Sequence, residues 1–234
     1  MSERKYIMKR YMIIFLCVAA LTFCASQVFA GAAPGTGIVG SKHDMNVVPG
    51  ATPDPQNRVC AFCHTPHHAL DDASADYLPL WSHELTSLTF TDYDSITFDG
   101  GGHTAADRLT GPSRLCMSCH DGAVAVDQHY GQPGGLVRSG DSWGEIGVGA
   151  GGDLSNDHPI GFDYIAVTGD DDEIRIATTP VPNPNVDSIT DLLWDDQWMT
   201  CASCHDVHNT DANEDYFLYG PQANSDFCLI CHDK

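Results

Sequence analysis

Basic residues are scarce in this sequence once its first thirty residues are set aside. Residues 1–30 hold four of the 11 Lys and Arg residues and one of the 32 Asp and Glu residues, so the rest of the chain carries a formal charge of −24. Its only lysines are Lys42 and Lys234. A chain this acidic repels the phosphates of nucleic acids and the headgroups of anionic lipids. The composition therefore excludes nucleic-acid binding.

Long apolar runs are also lacking after residue 30. Few of them exceed five residues, and Gly, Pro, Asp, Asn, Ser and Thr recur in clusters. A helix that spans a membrane needs about 20 apolar residues, so we predict no membrane span in the mature chain. We also predict a mostly irregular fold in which something other than side chains fills the interior.

The N-terminus has the pattern of an export signal. Four basic residues precede the apolar run 12–21, and Val28-Phe29-Ala30 provides a small-residue cleavage site. The run is too short to favour a membrane-spanning helix, although a retained anchor is the alternative. We predict that residues 1–30 are a signal peptide and that the mature protein is exported.

Unpaired cysteines are absent after residue 30. The eight cysteines there form four pairs of one spacing, each followed at once by a histidine: Cys60, Cys63 and His64; Cys116, Cys119 and His120; Cys201, Cys204 and His205; Cys228, Cys231 and His232. C-x-x-C-H is the attachment signature of c-type haem. Two intervening residues let both sulfurs reach the vinyl groups on one porphyrin edge, and the next histidine binds the iron. We predict four covalently bound haems with these four histidines as proximal ligands.

Zinc ribbons and structural disulfides are the alternative interpretations of paired cysteines. Neither requires a histidine directly after the second cysteine, whereas all four pairs have one. The sequence therefore favours haem. Each porphyrin also presents two large apolar faces whose burial stabilises a fold, so we expect the chain not to fold without haem.

Eight further histidines are available as second axial ligands. Methionine is scarce after residue 30, so bis-histidine ligation of all four haems is predicted. In each half of the chain, a lone histidine precedes the first motif, and another follows that motif's histidine by three residues. This internal repeat nominates four distal ligands, which are His43, His67, His158 and His208.

His67 and His208 lie too close to their own motifs to reach the far face of that motif's haem. Each should therefore bind a different haem. His83, beside Trp81, is the reserve candidate. The remaining histidines have no counterpart in the second half and are predicted to lie at the surface, namely His68, His103 and His129.

The repeat divides the mature chain into two dihaem units, residues 31–130 and 153–234. A glycine-rich connection, residues 131–152, separates them. Short helices are predicted at the haem motifs. The overall prediction is a multihaem cytochrome c fold that is mostly coil and organised around a chain of haems.

One small hairpin is also predicted. Ile160–Val167 and Glu173–Thr178 alternate or run apolar, and the polar segment 168–172 between them suits a turn.

Six elements resemble the doubled C-x-x-C-H multihaem cytochromes. They are Ser41-Lys42-His43-Asp44, Cys63-His64-Thr65-Pro66-His67, Leu80-Trp81-Ser82-His83, Cys119-His120-Asp121-Gly122, His158-Pro159-Ile160-Gly161 and Cys204-His205-Asp206-Val207-His208. Length, haem number and order are similar to tetrahaem filament cytochromes of the outer-membrane cytochrome E type. The resemblance spans nearly the whole mature chain except the loop at residues 131–150. It implies extracellular filaments with a continuous haem stack, in which the position of His67 ligates a haem of the adjacent subunit.

The resemblance implies long-range extracellular electron transfer through a homopolymer, with other cytochromes and external electron acceptors as partners. The alternative is a soluble tetrahaem shuttle, periplasmic or extracellular, whose distal ligands all come from its own chain. A multihaem reductase would need an iron with an open coordination position, whereas all four motifs are regular and histidine is in excess. We therefore predict an electron-transfer protein and not an enzyme.

Overall fold

The computed structural model describes residues 37–130, 132–138, 148–149, 152–208 and 216–234. These residues belong to one compact unit, Gly31–Lys234, which contains both predicted dihaem units. The predicted signal peptide, 1–30, and about half of the predicted connection, 131–152, lie outside the described residues.

The described chain is mostly irregular, with short helices and small two-stranded sheets. The helices are α1 (Pro112–His120), α2 (Tyr164–Asp170) and α3 (Cys228–Cys231). The strands are β1 (Phe162–Asp163), β2 (Pro180–Asn183), β3 (Val186–Ser188) and β4 (Trp198–Met199). Single 3₁₀ turns are found at Val59–Phe62, Asp99–Gly102, Ile189–Leu192, Cys201–Ser203 and Ala223–Ser225.

A helical turn lies at each C-x-x-C-H motif, because the motif itself closes one. The amides of His64, His205 and His232 donate to the carbonyl oxygen of the first cysteine of their own motifs, at 2.8, 3.1 and 3.0 Å. The second motif lies within helix α1, which begins at Pro112, a residue whose fixed φ suits the first turn. Each turn brings the histidine back beneath its two cysteines.

Strands β1 and β4 position the third motif. They pair antiparallel, with Phe162 opposite Met199, and β4 leads directly into Cys201. The amide of Cys201 donates to Ser113 Oγ of helix α1 at 3.1 Å, and Ser113 has no exposed surface. A hydrogen bond therefore joins the second motif's helix to the third motif.

The hairpin predicted between Ile160–Val167 and Glu173–Thr178 is wrong. The only strand residues there are the two of β1, and helix α2 follows them. The Asp163 side chain caps α2 by accepting from an amide of its first turn at 2.9 Å. Tyr164 and Val167, three residues apart, are both buried. The cap and the helical spacing of this buried pair override the strand propensity of the segment.

The hairpin that the structure does contain is formed by β2 and β3. Buried Val181 and Asn183 alternate with exposed prolines along β2, and the Asn183 side chain accepts from the amide of Asn185 in the turn at 2.7 Å. The segment predicted as the second strand of the other hairpin instead contacts the fourth motif, where the amide of Arg175 donates to the carbonyl of Cys231 at 2.8 Å.

The second half contains one hydrophobic core of eleven buried side chains: Phe162, Tyr164, Val167, Ala177, Val181, Val186, Ile189, Leu192, Leu193, Met199 and Ile230. The other buried clusters have three members each and involve the first two haem motifs: Met45, Phe62 and Val126, and Leu109, Met117 and Leu154. Across the described ranges, no helix combines the length and the apolar character needed to cross a membrane.

Candidate haem sites

Three pairs of histidine rings bring predicted proximal and distal ligands opposite one another. The ring centroids lie 6.2 Å apart in the first pair and 6.4 Å apart in the other two, which are His43–His120, His64–His208 and His158–His232. A bond from a metal to an imidazole nitrogen is about 2.0–2.1 Å long, and that nitrogen lies about 1.1 Å from the ring centre. Two imidazoles on opposite sides of one iron therefore have centroids about 6.3 Å apart.

The composition of these pairs is as informative as their spacing. Each joins the histidine of a C-x-x-C-H motif to a histidine nominated by the internal repeat, and in the described ranges no other two histidine rings pair in this way. The first, second and fourth motifs thereby have an opposed histidine from the same chain. His208 faces the first motif and not its own third motif, so the pair His64–His208 joins the two halves of the chain.

His67 and His205 are the predicted ligands that have no opposed histidine within the described part of the chain. Both are exposed. The His67 loop is closed by Thr65, whose hydroxyl donates to the His67 carbonyl oxygen at 2.8 Å. The surface of the described chain therefore presents one predicted proximal and one predicted distal histidine.

Backbone carbonyls orient the first motif histidine of each half. His64 Nδ1 lies 2.7 Å from the Pro79 carbonyl oxygen, and His205 Nδ1 lies 2.8 Å from that of Tyr216. A carbonyl oxygen only accepts, so Nδ1 carries the hydrogen in both rings. Nε2 then keeps its lone pair, which is the arrangement of a metal-binding imidazole.

These carbonyls belong to two equivalent segments, 79–82 and 216–219. Each runs antiparallel to its motif, bridging at Trp81 and at Leu218. Leu80 and Phe217 occupy equivalent positions, and both adopt left-handed backbone with φ of +54° and +60°. Bulky residues keep such a conformation only where the surroundings require it. The sequence did not reveal this part of the repeat, because the two segments share no residue type at equivalent positions.

His83, the reserve ligand, is buried but faces protein groups. Its Nδ1 lies 2.5 Å from the Gln128 carbonyl oxygen, and its Nε2 lies 3.3 Å from the Ser118 carbonyl oxygen and 3.4 Å from Cys119 Sγ. The equivalent position in the second half is Gly220. His83 therefore bridges the segment after Trp81 to the second motif.

Burial lowers the pKa of four histidines in these pairs. The pKa values of His43 and His120 both fall to about 4, with the positive charge of His205 adding to the effect. Burial also lowers the pKa values of His158 and His232. Neutral imidazole is the form that binds a metal, so these sites favour ligation over solvation.

Burial acts on the cysteines in the opposite direction. It raises the pKa of Cys63 to about 11 and that of Cys204 to about 12. Zinc binding and nucleophilic chemistry use the thiolate, which this burial opposes. A thioether carries no charge and suits the same surroundings.

The thiols stand in for the thioether sulfurs of a haem-loaded protein. Cys116 and Cys201 are half-buried. Their thiols interact with one another, which raises the pKa of Cys116 and lowers that of Cys201. The attachment points of the second and third motifs are therefore adjacent.

Buried polar atoms near the motifs test whether these residues fit haem. Among the described residues, several such atoms have no hydrogen-bond partner, including His43 Nδ1, Asn46 Nδ2, Trp81 Nε1, Asp121 Oδ2 and Thr200 Oγ1. Two of these residues directly adjoin motifs in sequence, and the Trp81 ring lies 6.3 Å from the His64 ring. An unsatisfied buried polar atom costs about 1–3 kcal/mol. A haem carboxylate would accept from the nitrogen donors in this set, His43 Nδ1, Asn46 Nδ2 and Trp81 Nε1, so these three residues fit the group.

One histidine prediction is wrong. His129 was predicted at the surface, but only 2% of it is exposed, because its ring packs against Phe62 with centroids 4.5 Å apart and its Nε2 lies 3.3 Å from Asp54 Oδ1. Asp54 is 75 positions away, and no sequence pattern links the two. His68 is exposed, and the exposed pair His103–Asp170 joins at 2.7 Å.

Comparison of the chain with protein-family models and with curated proteins finds no match. All eight cysteines of the motifs are free thiols. Within the ranges that the structure describes, no three His, Cys, Asp or Glu side chains converge to hold one metal ion. The four motifs and the three opposed histidine pairs are therefore the observations that bear on function.

Proposed function

We propose that this chain is an exported tetrahaem c-type cytochrome that polymerises and conducts electrons over long distances outside the cell. The observation that carries the proposal is the set of opposed histidine pairs at 6.2–6.4 Å, each joining a motif histidine to a histidine of the internal repeat. Chance packing would not be expected to pair a motif histidine with a histidine of the internal repeat in all three cases.

The cysteine pairs form thioethers, and the opposed histidines hold the iron from both sides. Haem supplies one-electron redox chemistry when bound. Bis-histidine ligation favours a low reduction potential and leaves no coordination position for a substrate. The protein's contribution is therefore to fix spacing, exclude water and tune potentials, which is the task of an electron carrier and not of an enzyme.

Two contacts connect the halves into one conduction path. His64 of the first motif is opposed by His208 from the second half. Cys116 of the second motif adjoins Cys201 of the third, and Ser113 ties the two motifs through the Cys201 amide at 3.1 Å. The first contact brings a ligand from the second half to the first motif, and the second holds attachment sites from the two halves close together, as electron hopping requires.

Polymerisation follows from the remaining ligands. His205 needs an opposed histidine, and His67 is exposed on a closed loop. His67 of one subunit completes the His205 site of its neighbour, while His43, His158 and His208 act within the subunit. Repulsion between subunits of formal charge −24 is offset by the buried interface, by the ligand bond and by screening cations.

Mass spectrometry and redox spectra of the secreted protein test the haem content. We expect a chain cleaved after Ala30 that carries the mass of four haems, with low-spin spectra in both oxidation states. A secreted chain without covalent haem, holding zinc or disulfides at its cysteines, would refute the proposal.

A matched pair of variants tests polymerisation. His67→Ala should abolish filaments and leave one haem without its second ligand, visible as a high-spin component of about one quarter of the haem. His68→Ala, on the adjacent exposed residue, should leave filaments and spectra unchanged. If wild type is monomeric and the His67→Ala variant, like wild type, keeps four low-spin haems, the protein is a soluble shuttle.

A further inference from the structure

A buried histidine outside the ligand set lies beside the first haem motif. His129 is 2% exposed, and its ring centroid is 4.5 Å from that of Phe62, the residue before Cys63. Its contacts are Asp54, Phe62 and the Asp127 backbone, none of which is a proposed iron ligand. No part of the proposed electron path uses this imidazole.

Both ring nitrogens of His129 face acceptors. Nε2 lies 3.3 Å from Asp54 Oδ1, and Nδ1 lies 3.2 Å from the Asp127 carbonyl oxygen. A neutral imidazole carries one N–H and satisfies one of these acceptors, whereas an imidazolium carries two and satisfies both. The surroundings are therefore arranged for a ring that gains a second proton.

The charges around the ring are balanced before that proton arrives. The Asp54 side chain has no exposed surface and accepts from the Arg58 guanidinium at 2.7 and 3.0 Å, so the two charges compensate one another. The Asp127 carboxylate accepts from three backbone amides, at 2.7, 2.8 and 2.8 Å. Behind the ring, His83 contacts the Gln128 carbonyl oxygen.

We propose that His129 is a proton acceptor that couples reduction of the first haem to uptake of one proton. One electron from a neighbouring haem would add a negative charge to the haem held by the first motif, which contains Phe62, and one proton from solvent would add to His129. Asp54 is the stronger acceptor because it is charged, so it takes the existing Nε2–H. The new proton adds at Nδ1, which then donates to the Asp127 carbonyl oxygen, and the net local charge is unchanged.

The inference rests on the proposed attachment of haem at Cys60 and Cys63, which is checked first by the mass of the four-haem protein. The experiment is a redox titration of wild type, His129→Gln and His103→Gln between pH 5 and 8, where histidine ordinarily changes charge. His103–Asp170 is the matched control, because it is an exposed His–Asp pair at 2.7 Å. A His208→Met variant identifies the first haem by raising its potential.

In wild type and His103→Gln, the first haem's potential should fall as pH rises, by up to about 59 mV per tenfold change in proton concentration. His129→Gln should remove that slope. Equal slopes in wild type and His129→Gln, with four haems in each, would overturn the proposal and leave the electron-transfer function standing.

If His129→Gln fails to fold, the proposal is tested on the wild-type protein instead. Infrared difference spectra are recorded from wild type that carries isotope-labelled histidine. Imidazolium bands that grow on reduction of the first haem are expected. Their absence would overturn proton uptake by any histidine.

Discussion

In residues 153–234, eleven buried apolar side chains pack into one core around helix α2 and the hairpin β2–β3. In residues 37–130, buried apolar side chains form only clusters of three, one of which is completed by Leu154 from the second half. These clusters include Phe62 and Met117 of the first two motifs. Of the fourteen buried polar or charged side chains among the described residues, eleven lie before residue 131. The first half is therefore organised by hydrogen-bonded carboxylates and haem motifs, and the second half adds a conventional core.

This difference indicates how a mostly irregular chain would hold the four proposed haems in fixed positions. Asp54 and Asp127 bind backbone amides on either side of the first motif, as strands or helices would otherwise do. Such networks are stable only when all their members are satisfied. The first half should therefore depend on haem more strongly than the second half does.

Expression without haem attachment is expected to give the largest effect. The chain should lose cooperative unfolding, and time-resolved proteolysis should cleave residues 37–130 before the core segment 160–193, whose apolar burial persists in part. Peptide mass spectrometry measures the order of cleavage. Equal cleavage rates in the two halves, or a folded haem-free protein, would contradict the prediction that the first half depends on haem more strongly than the second half.

Ile189→Ala removes a side chain with no exposed surface from the second-half core. It should lower the free energy of unfolding by about 2–5 kcal/mol through lost burial and the remaining cavity. Urea denaturation of the haem-loaded protein followed by circular dichroism measures the loss. Ile176→Ala, at a side chain that is 63% exposed, is the control and should change stability by less than about 0.5 kcal/mol.

Asp54→Asn tests the polar network of the first half. The Arg58 guanidinium, followed by backbone amides, holds the pKa of Asp54 below its ordinary 3.8 in the folded protein. The stabilisation is therefore fully present above about pH 4 and is lost as pH falls toward the lowered value. We expect a cost of about 1–2 kcal/mol at pH 7, since Arg58 is half exposed and solvent screens it.

The pH dependence of that cost is the sharper part of the prediction. The difference in stability between wild type and Asp54→Asn should shrink as pH is lowered below 4, measured by urea denaturation at each pH. A stability difference that stays constant from pH 7 to pH 3 would show that the negative charge of Asp54 does not contribute to the stability of the network.

The smallest effect is expected at an exposed carboxylate of the second half. Asp233 lies 2.8 Å from Arg175 and its side chain is 63% exposed. Asp233→Asn should cost less than about 0.5 kcal/mol, since exposed ion pairs contribute little. A cost that equals or exceeds that of Asp54→Asn would contradict the contrast between the buried network and the solvated pair.

The helical turns at the C-x-x-C-H motifs and the histidines of the three pairs could be predicted from sequence because their spacing is local. C-x-x-C-H closes its own turn, and the repeat locates His43, His67, His158 and His208 by order alone. The choice of opposed partners was not accessible, since nothing in the sequence around His64 indicates that His208 would face it.

Sequence reasoning failed where a side chain acts through a distant or unpatterned contact. The cap from Asp163 turned a strand-like segment into helix α2. His129 is predicted at the surface because it has no counterpart in the second half, and its partner in the structure, Asp54, is far away in sequence. The carbonyls of Pro79 and Tyr216 orient His64 and His205, but no residue type in the two segments indicates these contacts. Each wrong or missing prediction involves a backbone or tertiary hydrogen bond that the amino-acid composition does not indicate.

Cryo-electron microscopy of the secreted, haem-loaded protein tests the central claim most directly. The account predicts filaments with four haems per subunit, in which His43, His158 and His208 oppose His120, His232 and His64 of the same chain, and His67 binds the iron held by a neighbour's His205. Single particles whose eight axial ligands all come from one chain would contradict polymerisation. Haem density with other histidine pairings would contradict the assignment of the sites.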